Sequence, residues 1–404
     1  MKSSTSSGSP AADTTTAPSS AAVQFALNYV GGKAGVAHGQ PITIGFVNQQ
    51  GGLPSFPEAS VAAQAAVKFI NDQLGGVHGR PIQLQPCLIV SSEEQGQQCA
   101  EQFANNPGIK IVSPGTVSVG NASLHRILSG RKAYIGGIVQ SPSDAVDKNS
   151  LFLSGGVFGI PPSATSYFSR VLKAKTVAII NSSDPQGQAA AALQRQQLEA
   201  AGIKVTQAPV SETASDLTAA FTAVGASSAS AIELFIYPQL CVPAYKAIQQ
   251  LGISTPVVAV SLCQDPSVKK ALGDLPKGWT FMSPNPDVGP AATAPDARAY
   301  LAAMKAYAPA DANPAGTAPM AFAAIMTDDK LLNELGPNTS TNALIKASPK
   351  FRGPGFLTAP DVACGTLTAT PGLCTTQNLF LTYEGNDRYN EAGGGWLPPT
   401  AFGK

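Results

Sequence analysis

Apolar residues between positions 41 and 120 switch between two periods. Pro41-Ile-Thr-Ile-Gly-Phe-Val-Asn is a short run rich in branched and aromatic residues, bounded by Pro and by Asn48-Gln-Gln-Gly-Gly, and predicts a strand. Over 58–74 the spacing of Val61, Ala65, Lys68, Phe69 and Asp72 is helical, and Gly75-Gly76 should cap that helix. Ile82-Gln-Leu-Gln reads as the next strand and 93–103 as the next helix, leading to the polar loop Ser113-Pro-Gly-Thr-Val-Ser-Val-Gly. This alternation favours a mostly parallel sheet with helices on both faces.

The same alternation continues downstream. Helices are expected after Ile160-Pro-Pro to Leu172 and over 188–201, 217–224 and 243–251, and strands over 176–180, 204–208, 231–237 and 256–260. The Pro-rich Ser283-Pro-Asn-Pro-Asp suits a crossover, and helices over 295–307 and 317–335 follow it. A chain of 404 residues is long for one core, so two domains are expected. The division is residues 41–160 with 286–375 as lobe 1, and 161–285 with 376–404 as lobe 2. Residues 1–40 form a tether and an N-terminal extension. The first twenty are Ser/Thr/Ala/Pro-rich and cannot offset their ordering entropy, whereas Val23, Phe25, Leu27 and Tyr29 suit packing against lobe 1.

Charge and cysteine content narrow the function. With 26 basic against 25 acidic residues and no basic run, nucleic acid is excluded as a partner. No apolar stretch approaches the roughly 20 residues of a membrane helix, and none at the N-terminus resembles a signal peptide. The chain therefore reads as one whose signal peptide has been removed, with Met1 a start-codon remnant. Six cysteines allow fifteen connectivities; local secondary structure favours Cys87 with Cys99, Cys241 with Cys263, and Cys364 with Cys374. No C-x-x-C pair occurs, so structural disulfides in an oxidising compartment are expected rather than a metal site.

Ile42-Thr-Ile-Gly-Phe-Val, the helix ending in Phe69-Ile-Asn, and Gly75-Gly-Val-His-Gly-Arg-Pro-Ile-Gln-Leu resemble the N-terminal signature of type I periplasmic solute-binding proteins. The branch is the one named for leucine, isoleucine and valine binding, which serves ABC importers. Ala133-Tyr-Ile-Gly-Gly-Ile-Val-Gln-Ser-Pro-Ser-Asp is similar to its second ligand loop, Lys175 to Gln188 to the opening of its second lobe, and Phe351-Arg-Gly-Pro-Gly-Phe to a late family segment. The resemblance implies an α/β fold of two Rossmann-like lobes with parallel sheets joined by a three-stranded hinge. It also implies hinge closure on a small-molecule ligand, an ABC permease as membrane partner, a monomer, no cofactor, and an extracytoplasmic location, cell-surface or periplasmic. A lipid anchor, as on family lipoproteins, is a further expectation. The alternative reading is a ligand-sensing ectodomain or regulatory binding domain of the same fold.

Ligands of open α/β sheets sit beyond the carboxyl ends of strands, so the site is sought in those loops. Candidates in lobe 1 are Gln49, Gln50, Thr116, Val117, Ser118, Val139, Gln140 and Ser141; in the resembling family the second and third loops bind a ligand carboxylate. Lobe 2 offers Gln186, where the family has an aromatic residue, and Tyr237, near a family tyrosine that covers the ligand. Phe56 and Phe158 are candidate apolar contacts. The family's carboxylate for an amino-acid ammonium falls near Leu262, so a free α-amino acid is disfavoured, unless Asp265 takes that place, and a neutral or weakly acidic molecule with an apolar body is expected.

An enzyme is not expected. His38, His78 and His125 have no metal spacing and read as solvated or capping residues. Gly115-Thr-Val-Ser118-Val-Gly120 fails G-x-S-x-G by one residue. The pairs Glu93-Glu94 and Asp328-Asp329 fall on predicted helices, where a solvated face is expected.

Overall fold

The computed structural model describes residues 17–52 and 54–398, so most of the expected tether lies outside the described residues. Ser19 accepts a hydrogen bond from the Ala22 amide and thereby starts α1 (Ser20–Val30). The helix is no tether. Its Leu27, Tyr29 and Val30 are buried in the first core, and the Tyr29 hydroxyl lies 2.9 Å from Thr327 Oγ1.

Apolar side chains leave both faces of β1 (Ile42–Gln49), as a strand covered on both sides requires. It sits within a five-stranded parallel sheet, order β2-β1-β3-β4-β5, with β2 (Ile82–Ile89), β3 (Ile111–Pro114), β4 (Ala133–Ile138) and β5 (Ser150–Ser154). The connecting helices are α2 (Pro57–Gln73), α3 (Glu93–Ala104), α4 (Asn121–Leu128) and α5 (Pro142–Val146). The first of these ends where Gly75 and Gly76 adopt φ of 74° and 62°, the left-handed geometry expected of that pair.

The chain then enters a seven-stranded sheet, order β14-β13-β10-β9-β8-β6-β7. Its strands are β6 (Thr176–Ser182), β7 (Lys204–Val210), β8 (Ala231–Phe235), β9 (Val257–Val260), β10 (Thr280–Ser283), β13 (Leu379–Gly385) and β14 (Arg388–Glu391); the last two run antiparallel at one edge. Two-residue strands β11 (Arg352–Gly353) and β12 (Val362–Ala363) pair separately. Helices α6 (Gly156–Ser166), α7 (Pro185–Ala200), α8 (Thr218–Ala223), α9 (Pro238–Gln250) and α10 (Pro266–Leu272) flank this sheet in sequence. Two starts differ from expectation. Amides of Phe158 and Gly159 bond to the Gly155 carbonyl, so α6 is under way before Pro161 and Pro162. Pro238, not Pro243, opens α9, because the first turn needs no amide donor there.

The chain passes between the sheets three times: after β5, after β10, and before β13. Between the second and third passages α11 (Pro295–Tyr307), α12 (Ala318–Leu335) and α13 (Thr341–Ala347) return to the first sheet. Alanines of α2 let α12 pack against it, with Phe69 and Phe322 ring centroids 6.5 Å apart. A Cβ on Gly137 of β4 would fall 2.0 Å from the Met320 carbonyl oxygen, so only glycine allows the start of α12 to lie there. This contact carries Thr317 and Met320 toward the cleft.

The solvated face expected for Asp328-Asp329 does not exist. Contacts with α1, α2, β3 and β4 enclose α12, and both carboxyls are wholly buried. Asp328 accepts from Ser113 Oγ and Asp329 from Asn333 Nδ2. Burial pushes the Asp329 pKa up to about 8 and that of Asp328 well above the usual range. The three disulfides link the sequence-local pairs Cys87–Cys99, Cys241–Cys263 and Cys364–Cys374.

Candidate functional site

Loops at the carboxyl ends of strands from both sheets meet around a cavity of about 100 Å³. Thr116, Ser118, Gln140, Gln186, Tyr237 and Leu262 line it, together with Phe56. Lobe 1 presents Thr116 because Asn48 fixes the loop after β3: its Oδ1 accepts from the Thr116 amide at 2.9 Å, while its Nδ2 donates to the Phe56 carbonyl and Ser60 Oγ. Thr116 is 1% exposed, and its Oγ1 has no hydrogen-bond partner among the described residues. A hydroxyl stranded in a cavity wall is a vacant bond for a ligand.

Seven of the residues considered from the sequence are not in the wall. Gln49 stands behind it as a brace, its Oε1 accepting from the Ser118 amide and hydroxyl at 2.9 and 2.7 Å and its Nε2 donating to the Pro54 carbonyl. Gln50 turns away to accept from Ser60 Oγ. Val117 and Val139 alternate inward to the apolar core beneath the sheet, where Phe158 also packs. Ser141 caps α5, accepting from the Asp144 amide. Asp265 likewise caps α10 through Ser267 rather than entering the cavity.

In lobe 2, Asp184 caps α7 through the Gln186 and Gly187 amides and accepts from the Tyr237 hydroxyl at 3.3 Å. Burial, and then Asp184's charge, pushes the Tyr237 phenol pKa up, so it stays a donor. Gln186 Nε2 reaches across to the Gln140 carbonyl and Oε1, 3.3 Å from each, which joins the two lobes over the cavity. Leu262 is half-buried on the single 3-10 turn after β9. Among the described residues no lining side chain is Asp, Glu, Lys or Arg.

Several wall residues were not legible in the local sequence. Pro284 comes from the second passage between sheets, and Gly316, Thr317 and Met320 from the start of α12. The available signal was the crossover at Ser283-Pro-Asn-Pro-Asp, which must border any cleft between the lobes.

Two polar clusters near the site also correct expectations. Glu94 is exposed as expected, but Glu93 accepts from the Gly120 and Ser123 amides and so caps α4. His38 and His78 are exposed, whereas His125 is buried, its Nε2 2.7 Å from Asp144 and its Nδ1 2.8 Å from Asp147. Both nitrogens face carboxylate oxygens, so both must donate, and the ring is an imidazolium. Burial opposes that charge, but the two aspartates prevail and hold the His125 pKa up at about 9. The other Asp144 oxygen accepts from the Gln140 and Ser141 amides, so this ion cluster sets the Gln140 loop. Among the described residues no His/Cys/Asp/Glu group suits a metal ion, and no helix is long and apolar enough to cross a membrane.

A family model described as periplasmic binding protein matches residues 41–370. No curated protein sequence matches the chain. Among solved structures the chain is similar to the leucine-binding protein LivK of Thermotoga maritima, at 13% identity and a TM-score of 0.69 over 89% of this chain and 99% of that one. It is also similar to LivJ of Streptococcus pneumoniae, in complex with isoleucine, at 16% identity and a TM-score of 0.67 over 87% and 98%. A third is a solute-binding protein of an R. palustris ABC transporter in complex with 4-hydroxybenzoate, at 14% identity and a TM-score of 0.67 over 89% and 98%.

Proposed function

The chain belongs to the periplasmic binding protein family, and on that premise we propose that it captures a small organic acid with an apolar body and no α-ammonium group. It does so between its two lobes, outside the cytoplasmic membrane, and delivers the acid to the permease of an ABC importer.

The observation that carries this reading is the uncharged wall around an unpaired Thr116 hydroxyl. Two helix starts with no capping side chain converge there: Phe56 precedes α2 and Tyr237 precedes α9. Helix N-termini favour a negative group. An ammonium, by contrast, would be buried without a counter-charge, at a cost of several kcal/mol. Of the two ligand-bound relatives, the wall chemistry suits an acid such as the R. palustris protein holds better than an amino acid. The Gln140–Gln186 bridge suits closure over the ligand, because it pairs side chains from opposite lobes.

A thermal-shift screen tests the proposal with matched sets: branched and aromatic acids, their amides, and the α-amino acids with the same side chains. Ligand at a hundred times its Kd adds about 2.7 kcal/mol of stability. Acids should raise the melting temperature more than their α-amino counterparts. Thr116→Val should weaken the best acid by about 1.5–3 kcal/mol, the worth of a hydrogen bond to a charged group. Stronger binding of the amino acids would overturn the reading.

A further inference from the structure

Beside the cavity a second chamber, of about 540 Å³, opens between the lobes and shares Ser261 and Gly316 with it. That volume lies within the roughly 300–1,000 Å³ of small-molecule sites. Its walls come from α10 and the β13–β14 hairpin on one side, from the segment leading into α12 on the other, and from the crossover after β10.

Two acceptors without a partner among the described residues face this chamber, on Asn285 and Asp287, beside donors on Gln264, Asn313 and Lys270. Asn285 is 8% exposed; its Nδ2 donates to the Pro286 carbonyl, and its Oδ1 receives no hydrogen bond from the described residues. Asp287 Oδ1 accepts from the Gly289 amide at 2.8 Å, while its second oxygen has no partner among them. Asp387 is paired with Lys269, so that lysine is committed, and Lys270 is exposed at the rim. Burial, and then the charge of Asp387, pushes the Asp287 pKa up. Tyr389 adds an aromatic wall, which attracts cations.

We propose that this chamber is a second ligand site, for an organic cation ending in a primary ammonium or guanidinium group, with Asp287 as its charge partner. Asn285 Oδ1 accepts a further N–H of the same group, and Tyr389 covers its methylene stem. The inference is independent of the acid site, whose wall holds no charge.

Isothermal titration of the full chain with 1,5-diaminopentane and with its neutral isostere 1,5-pentanediol tests it. The diamine should bind saturably at one site and the diol should not. Asp287→Asn keeps an acceptor for the Gly289 amide and should weaken the diamine by about tenfold or more, with circular dichroism confirming the fold. Thr116→Val should leave diamine binding unchanged. No saturable heat from the diamine, equal binding of the diol, or full affinity in Asp287→Asn would each overturn the proposal. Loss of the diamine in Thr116→Val would overturn it too, by placing the amine in the inner cavity.

Discussion

Glu233 occupies the middle of the second sheet, in register with Ile179 on β6 and Val258 on β9, and is wholly buried. Neither carboxyl oxygen has a hydrogen-bond partner among the described residues, and burial pushes its pKa well above the usual range. Burial thus disfavours the charged form, and even the neutral carboxyl leaves polar atoms stranded, a penalty of about 1–3 kcal/mol. Glu233→Met roughly conserves volume and removes those atoms, so it should stabilise the protein by about that amount. The gain should grow with pH. A carboxyl whose folded pKa is raised contributes its full stability below the unfolded value of about 4.3 and loses it as pH rises through the folded pKa, by up to about 1.4 kcal/mol per pH unit. Urea unfolding followed by circular dichroism at about pH 5 and about pH 8 measures both effects, and the difference between variant and wild type should widen toward the higher pH. A variant less stable at both, with the wild-type pH slope, would refute the reasoning.

Three further outcomes are expected. Asp329→Asn should flatten the fall in melting temperature as pH rises from about 4 through about 8, because the wild-type carboxyl must ionise in the core; an unchanged profile would show that Asp329 is not what drives it. The contribution of His125 should be complete below about pH 6.5 and lost through about 9, so its imidazole should titrate near that higher value by NMR, and His125→Gln should cost about 3–5 kcal/mol. Peptide mass spectrometry without reductant should recover the three local disulfides, and Cys241→Ser with Cys263→Ser should cost about 3 kcal/mol by loop entropy; free thiols would contradict the oxidising compartment.

Where one period and a clear boundary coincide, sequence and structure agree closely. The run after Pro41, the helix closed by Gly75-Gly76 and the helix at Pro295 are such places. Prolines misled where they followed rather than opened a helix, as at Pro161 and Pro243. Asp328-Asp329 looked solvated because polarity in the sequence is local, while the enclosure of α12 is tertiary. The same limit divides the candidate site. Loops after the correct strands were legible, so Thr116, Gln140 and Tyr237 fall at the cavity. Which of two adjacent side chains faces it depends on the pleat and on braces such as Gln49, and the spacing of residues does not carry that.

The sealing of the first sheet by α12 has a consequence for the order in which the chain acquires structure. Strands β1 to β5 are complete by Ser154, yet the helix that packs on α2 and on β4 ends only at Leu335, after most of the second sheet has been made. While synthesis proceeds from the N-terminus, Phe69 and its alanine neighbours wait uncovered, a state that invites aggregation. The Cys87–Cys99 link joins β2 to α3 and needs nothing that comes later, so it can close as soon as this segment reaches the oxidising compartment. The early half of the lobe can thus be stapled before its lid arrives in that compartment, and a chaperone acting on the incompletely folded chain would find its apolar target on the α2 face.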